Sequence, residues 1–234
     1  MYFGLENRLI FCYYNRTSYY IASYAVIGTQ TLMIITWYGE GCFKIQSGQL
    51  TIALDSLHDD SGLTAPRFKP NIAIQTETPY PIPYETGREF DSVLGPGEYE
   101  IQGVAISGFA DGENAATAKT IYTVVLEDIK IGILGGLTEP LRPDAQEGLA
   151  GSEILIVPAG DEPHISIEAV AKIIKQINPR IIIPAFFKIK DLKRKAGTIE
   201  EFVKEIGRES SKEEKLVIKK KDLPEHPRIV VLTI

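Results

Sequence analysis

The sequence predicts an α+β domain in which two β-sheets pack against each other beneath a few flanking helices. Two observations lead there. From Met33 onward, short apolar runs are separated by Gly, Pro and acidic turn residues, the pattern of successive paired strands. Helical spacing of apolar residues occurs in only two stretches, both in the C-terminal half. Many strands with few helices bury their apolar faces by stacking sheet on sheet under a helical cover.

The elements follow in order. Ile34 to Trp37 and Cys42 to Ile45 are apolar runs, and Ser47-Gly48 turns the chain into Leu50 to Leu54. Ile72 to Ile74 is the next strand. Thr78 to Tyr84 carries Pro79, Pro81 and Pro83, which lack a ladder donor, so this stretch is expected to be loop. Pro96-Gly97 marks a turn, followed by strand at Glu98 to Ile101 and Val104 to Ile106. The polar segment Asp111 to Lys119 is expected to be loop. Ile121 to Leu126 and Ile129 to Leu134 flank a Glu127-Asp128 turn, and Ile154 to Val157 is a buried-type strand. Ser166 can cap a helix with apolar residues at Ile167, Val170, Ala171, Ile174 and Ile177, which Asn178-Pro179 ends. Arg180 to Pro184 is strand. Thr198 and Glu201 form a capping box ahead of Ile199, Phe202, Val203 and Ile206. The tail returns to strand at Leu216 to Ile218 and Ile229 to Leu232.

A chain of 234 residues with 44% hydrophobic content can bury one substantial core. A formal charge of −6 argues against a nucleic-acid binder, which needs a basic face. The basic runs Lys188 to Lys195 and Lys219-Lys220-Lys221 read as solvated surface. Only Cys12 and Cys42 occur, and not as Cys-x-x-Cys, which excludes a disulfide framework or a thiolate zinc site and points to a reducing cytoplasm. Residues 1–32 differ from the rest: they hold six of the eleven tyrosines and no clear period. Between Arg16 and Glu40 there is no charge, yet Thr17, Ser18, Ser23, Thr29, Gln30 and Thr31 make the stretch too polar to span a membrane. Glu6 ahead of it fits poorly with a secretory signal. The expectation is an N-terminal extension, 1–32, outside a domain of residues 33–234, with no membrane partner.

Four ordered segments carry the functional argument: Trp37-Tyr38-Gly39-Glu40-Gly41-Cys42-Phe43; Ile74-Gln75-Thr76-Glu77-Thr78-Pro79-Tyr80-Pro81-Ile82; Gly95-Pro96-Gly97-Glu98-Tyr99-Glu100; and Ile183-Pro184-Ala185-Phe186-Phe187-Lys188. Together they resemble the metallo-β-lactamase superfamily, in particular its small single-domain zinc-dependent hydrolases. The resemblance covers about residues 33–234 and implies the αβ/βα four-layer sandwich of that family. It also implies zinc, held by imidazoles and a carboxylate, with an open position for a water whose pKa falls to roughly 7.

The ligands are what this sequence lacks. Where the family has its Thr-His-x-His-x-Asp-His segment, Glu77 and Pro79 stand at the first two histidines and Pro81-Ile82 at the Asp-His pair. Ala110, before Asp111, takes the next histidine position, Gly136 the bridging aspartate and Phe186 the last histidine, while Glu40 replaces the histidine of the opening motif. Pro, Ile, Ala, Gly and Phe side chains bind no metal. His58, His164 and His226 fall on no ligand position and read as solvent-exposed loop residues. A residual oxygen-rich site from Glu40, Asp55, Asp59, Asp60, Glu77 and Asp111 would suit a hard cation, although loop acids also serve turns.

The expected function is therefore a non-catalytic member of the fold, without a cofactor, acting as a binding or partner subunit for a protein or small ligand and open to homo- or hetero-oligomers. The alternative is a metal-dependent hydrolase with a remodelled carboxylate-rich site. The vestigial pocket is expected to comprise Glu40, Asp55, His58, Glu77, Pro79, Ala110, Asp111, Gly136 and Phe186, with Phe186 turned into it and Pro79 and Ile82 beside the ring.

Overall fold

The computed structural model describes residues 31–82, 90–111 and 117–234; residues 1–30, the remainder of the proline-rich segment with Pro83 and Tyr84, and most of the segment after Asp111 lie outside the described residues. Thr31–Ile234 forms one compact unit. In chain order its strands begin with β1 (Met33–Trp37), β2 (Phe43–Ser47), β3 (Leu50–Leu54), β4 (Ile72–Gln75), β5 (Glu77–Pro79) and β6 (Asp91–Leu94). Next come β7 (Gly97–Ile101), β8 (Val104–Ala110), β9 (Thr117–Leu126), β10 (Ile129–Ile133), helix α1 (Pro143–Leu149) and β11 (Ile154–Pro158). Helix α2 (Ile167–Ile177), β12 (Ile181–Ala185), α3 (Ile199–Ile206), β13 (Ser210–Glu213), β14 (Lys215–Ile218) and β15 (Arg228–Leu232) complete the order.

These strands form two mixed sheets, one ordered β14-β1-β2-β3-β4-β6 and the other β13-β15-β12-β11-β10-β9-β8-β7, with β5 added to β9. The two sheets and three flanking helices are the sandwich the sequence predicts. β1 and β2 alternate buried and half-buried residues, as one-sided strands do, whereas β11 and β12 are buried throughout. The difference reflects helix cover: α2 packs on β11, α1 packs on β8 and β9, and α3 packs on α2. Trp37, Phe43 and Ile45 from the first sheet and Ile106, Val124 and Ile131 from the second belong to one buried core.

The caps behave as their chemistry dictates. The Ser166 hydroxyl accepts from the Ala169 amide, and Asn178 closes α2 in the left-handed region at φ 52°. Thr198 and Glu201 make the full capping box of α3.

Three elements escape the sequence reading. Helix α1 has Arg142 as an N-cap without a side-chain bond, so it carries no cap signature. Strand β13 is polar throughout and pairs only as an edge beside β15, and β6 is a four-residue strand next to β4. The expected loop at Thr78 is corrected: Glu77, Thr78 and Pro79 form a short antiparallel edge with Lys119, Ala118 and Thr117. Pro79 ends that strand, where a missing donor costs little. Thr117 to Lys119 are likewise strand rather than loop, because that edge gives them a partner.

Candidate functional site

Three loops converge on one cleft. The first is the turn after β1, closed by hydrogen bonds from the Tyr38 amide to the Cys42 carbonyl and from the Cys42 amide to the Gly39 carbonyl, both 2.9 Å. Gly39 sits at φ 103° and Glu40 at φ 51°, while the Trp37 indole donates to the Glu40 carbonyl at 2.9 Å. A side chain at Gly41 would meet Phe186 Cζ at 2.7 Å and Asp55 Oδ2 at 2.8 Å, so that close approach requires glycine.

The second loop follows β3. Asp55, at φ 46°, accepts hydrogen bonds from the Thr76 amide and hydroxyl, both 2.6 Å. Burial, opposed by these bonds, raises its pKa from 3.8 to about 6, with the Glu77 charge adding to the rise. The third loop follows β12. Phe186 adopts φ 60°, and its ring centroid lies 4.5 Å from that of His164. Burial first, then the Arg194 charge, lowers the His164 pKa to about 4.

Arg194 links the first and third loops. Its Nε donates to both Glu40 oxygens at 3.1 and 2.9 Å, one terminal nitrogen donates to the Lys195 carbonyl at 3.1 Å, and the other donates to the Phe186 carbonyl. The guanidinium also lies 6.0 Å from the Phe186 ring centroid.

The cleft has a volume of about 520 Å³. Of the residues expected there, Glu40, Asp55, His58, Glu77, Gly136 and Phe186 line it. Pro79, Ala110 and Asp111 do not line it. Pro79 is held on the β5 edge and Ala110 ends β8; Asp111 is buried, which raises its pKa. Ile82 packs against Gly95 and is no neighbour of Phe186 in the cleft. His164 corrects an expectation too: it is half-buried in the cleft wall rather than exposed, while His58 and His226 are exposed. Sequence reasoning missed Arg194, half-buried inside a basic run read as solvated surface, because its partner lies 154 positions away. Cys42 offers no nucleophile: burial, followed by the Asp55 charge, pushes its thiol up to about 12.

A family model described as a beta-lactamase superfamily domain matches residues 34–185. The chain belongs to the metallo-β-lactamase superfamily. Its fold is similar to a Thermotoga maritima protein assigned to the zinc-dependent hydrolases of that superfamily, with 23% identity, a TM-score of 0.69, and cover of 86% of this chain and 98% of the other. It is also similar to the metallo-β-lactamase fold protein YhfI of Bacillus subtilis, with 8% identity, TM-score 0.58 and cover of 87% and 97%. A metallo hydrolase from the archaeon Ignicoccus hospitalis shares 12% identity at TM-score 0.53, with cover of 76% and 91%. The sequence matches no curated protein.

The superfamily implies zinc, and the cleft residues do not fit it. A zinc site needs three or four nitrogen, sulfur or carboxylate donors about 2 Å from one point. Among the described residues, no three His, Cys, Asp or Glu side chains gather closely enough to hold a metal ion. Of the two imidazoles that line the cleft, His58 is exposed and the half-buried ring of His164 lies against Phe186.

Proposed function

We infer that this protein is a non-catalytic member of the metallo-β-lactamase superfamily whose cleft binds a small ligand or a segment of a protein partner. The observation that carries this reading is the replacement of ligand chemistry around Phe186. An apolar ring stands at a ligand position, faced by a neutral imidazole and bounded by the Glu40–Arg194 pair. These contacts pair Glu40 with Arg194 and set the His164 ring against Phe186, which supports a binding cleft rather than a hydrolytic one. The fold is preserved around the cleft, so binding is the function left to it.

A second reading, a metal-dependent hydrolase with a remodelled carboxylate-rich site, draws on Asp55, Asp60 and Glu77 lining the same cleft. Hard cations take such oxygens, in sets of six or more that include water. Metal analysis of the purified protein by mass spectrometry, with calorimetric titration of zinc, magnesium and manganese, separates the two. The non-catalytic reading expects no stoichiometric metal after dialysis. Tightly held metal that is lost on replacing Glu40, His58 or Glu77 would overturn it in favour of the second.

A further inference from the structure

We propose that the Arg194 guanidinium is a cation built into the chain that fixes the arrangement of the cleft, tying the loop after β1 to the loop after β12. In a metal site, oxygen and nitrogen atoms from separate loops converge because one cation holds them. Here the Glu40 carboxylate and the Phe186 carbonyl converge in the same way, and the cation between them is a side chain. The planar fork of a guanidinium suits this task, since it donates in several fixed directions at once. Arg194 uses that capacity on Glu40, Phe186 and Lys195, and Phe186 supplies a ring beneath it as well as a carbonyl.

Burial separates this link from an ordinary surface pair. The Arg194 and Glu40 side chains are 25% and 18% exposed, against 69% and 74% for the Lys212–Glu200 pair. Exposed pairs contribute little, whereas removing one member of a desolvated pair leaves an unpaired charge. Residues of both loops line the cleft, so the same contacts hold its two sides together. Arg194 thus holds the two sides of the cleft in one arrangement.

The inference does not require the cleft to be non-catalytic, and its test is run in chelator so that it stands apart from the metal analysis. Melting temperatures are measured for the parent, Arg194→Ala, Arg194→Lys, Glu40→Gln and the Arg194→Ala/Glu40→Gln pair, each with and without millimolar ethylguanidinium or ethylammonium. Arg194→Ala should melt roughly 5 °C below the parent, a shift of the size one lost buried interaction produces in a domain of this length. Lysine should recover less than half of that loss, because an ammonium cannot reproduce the fork. Ethylguanidinium should raise the melting temperature of Arg194→Ala and leave the double variant unchanged, and ethylammonium should do neither. Unchanged melting of Arg194→Ala, or equal effects of the two small cations, would overturn the proposal. Should Arg194→Ala not fold, Glu40→Gln and Arg194→Lys carry the test. Each must melt below the parent, and the two combined must fall no further than the worse one; additive losses overturn it.

Discussion

The core and the cleft meet at two consecutive phenylalanines, and the pair shows how differently the two regions are built. Phe187 is buried and stacks on Trp37 with ring centroids 4.7 Å apart, inside the apolar seam between the sheets. Phe186, one residue earlier, is turned by its left-handed φ of 60° into the cleft, against His164 and Arg194. The first ring is held by apolar area, the second by a few directed contacts among polar groups. The fold itself is shared with solved structures at 8 to 23% identity, as a core held by apolar area allows.

Cutting each ring is the strongest way to test that contrast. Phe187→Ala should cost about 3–5 kcal/mol in urea unfolding, the usual range for emptying a core phenylalanine site. Phe186→Ala should cost only about 1 kcal/mol, because a half-buried ring removes less area from water. Equal losses would mean that Phe186 is ordinary core and that the distinction between the regions is false.

The cleft should also have its own pH signature, which apolar core side chains cannot supply. The neutral form of Asp55 is favoured by folding. Its contribution is fully present below the ordinary pKa of 3.8 and is lost as pH rises through about 6. His164 runs the other way: its neutral form contributes above the ordinary 6.5, and that contribution is lost as pH falls through about 4. The two effects oppose each other between pH 4 and 6. Asp55→Asn keeps a carbonyl for the Thr76 amide and suits the left-handed backbone at φ 46°. At about 1.4 kcal/mol per pKa unit, it should be roughly 1–3 kcal/mol more stable than the parent at pH 8. That advantage should shrink to nothing by about pH 4, leaving the His164 loss visible on the way down. A pH-independent difference between the two proteins would remove Asp55 as its source.

A smaller effect is expected at the edge of the domain. The compact unit begins at Thr31, whose amide donates to Glu127 at 3.2 Å, and β1 begins at Met33. Deleting residues 1–30 should change unfolding free energy by less than about 1 kcal/mol, well short of a lost core side chain. A loss on the core scale would make those residues integral to the fold.

The same contrast governs what could be read from the sequence. Core elements announce themselves locally: the spacing of Ile167, Val170, Ile174 and Ile177, the Ser166 cap and the Thr198–Glu201 box are all complete within a dozen residues. Elements without local signals were missed, such as polar β13, which exists only because β15 offers an edge. At the cleft, Glu40, Glu77, Gly136 and Phe186 stand at positions the superfamily resemblance marks, and Asp55 and His58 on the loop after β3; periodicity marks none of them. Arg194 and the place of His164 are not legible there, because pairing across 154 positions and a tilted ring contact with Phe186 leave no mark on neighbouring residues. Pro79 misleads for a related reason: its partner Thr117 belongs to another segment.

The last test expects no effect, and its value lies in that. Phe186→His puts an imidazole back at the final ligand position of the superfamily motif. One imidazole supplies one donor, and a catalytic zinc needs three protein donors with a fourth position open to water. Glu77 is exposed, Pro79 ends an edge strand outside the cleft, and Gly136 has no side chain, so these three positions do not complete the set. The new histidine would also face the Arg194 guanidinium, whose charge, after burial, lowers the pKa of His164 and would repel a dication. Zinc titration calorimetry of the variant should show no stoichiometric binding, and its esterase and phosphodiesterase rates with zinc should equal those of the parent. Zinc-dependent turnover in this single variant would mean that a nearly complete metal site persists in the cleft, and that its chemistry is as well preserved as the core.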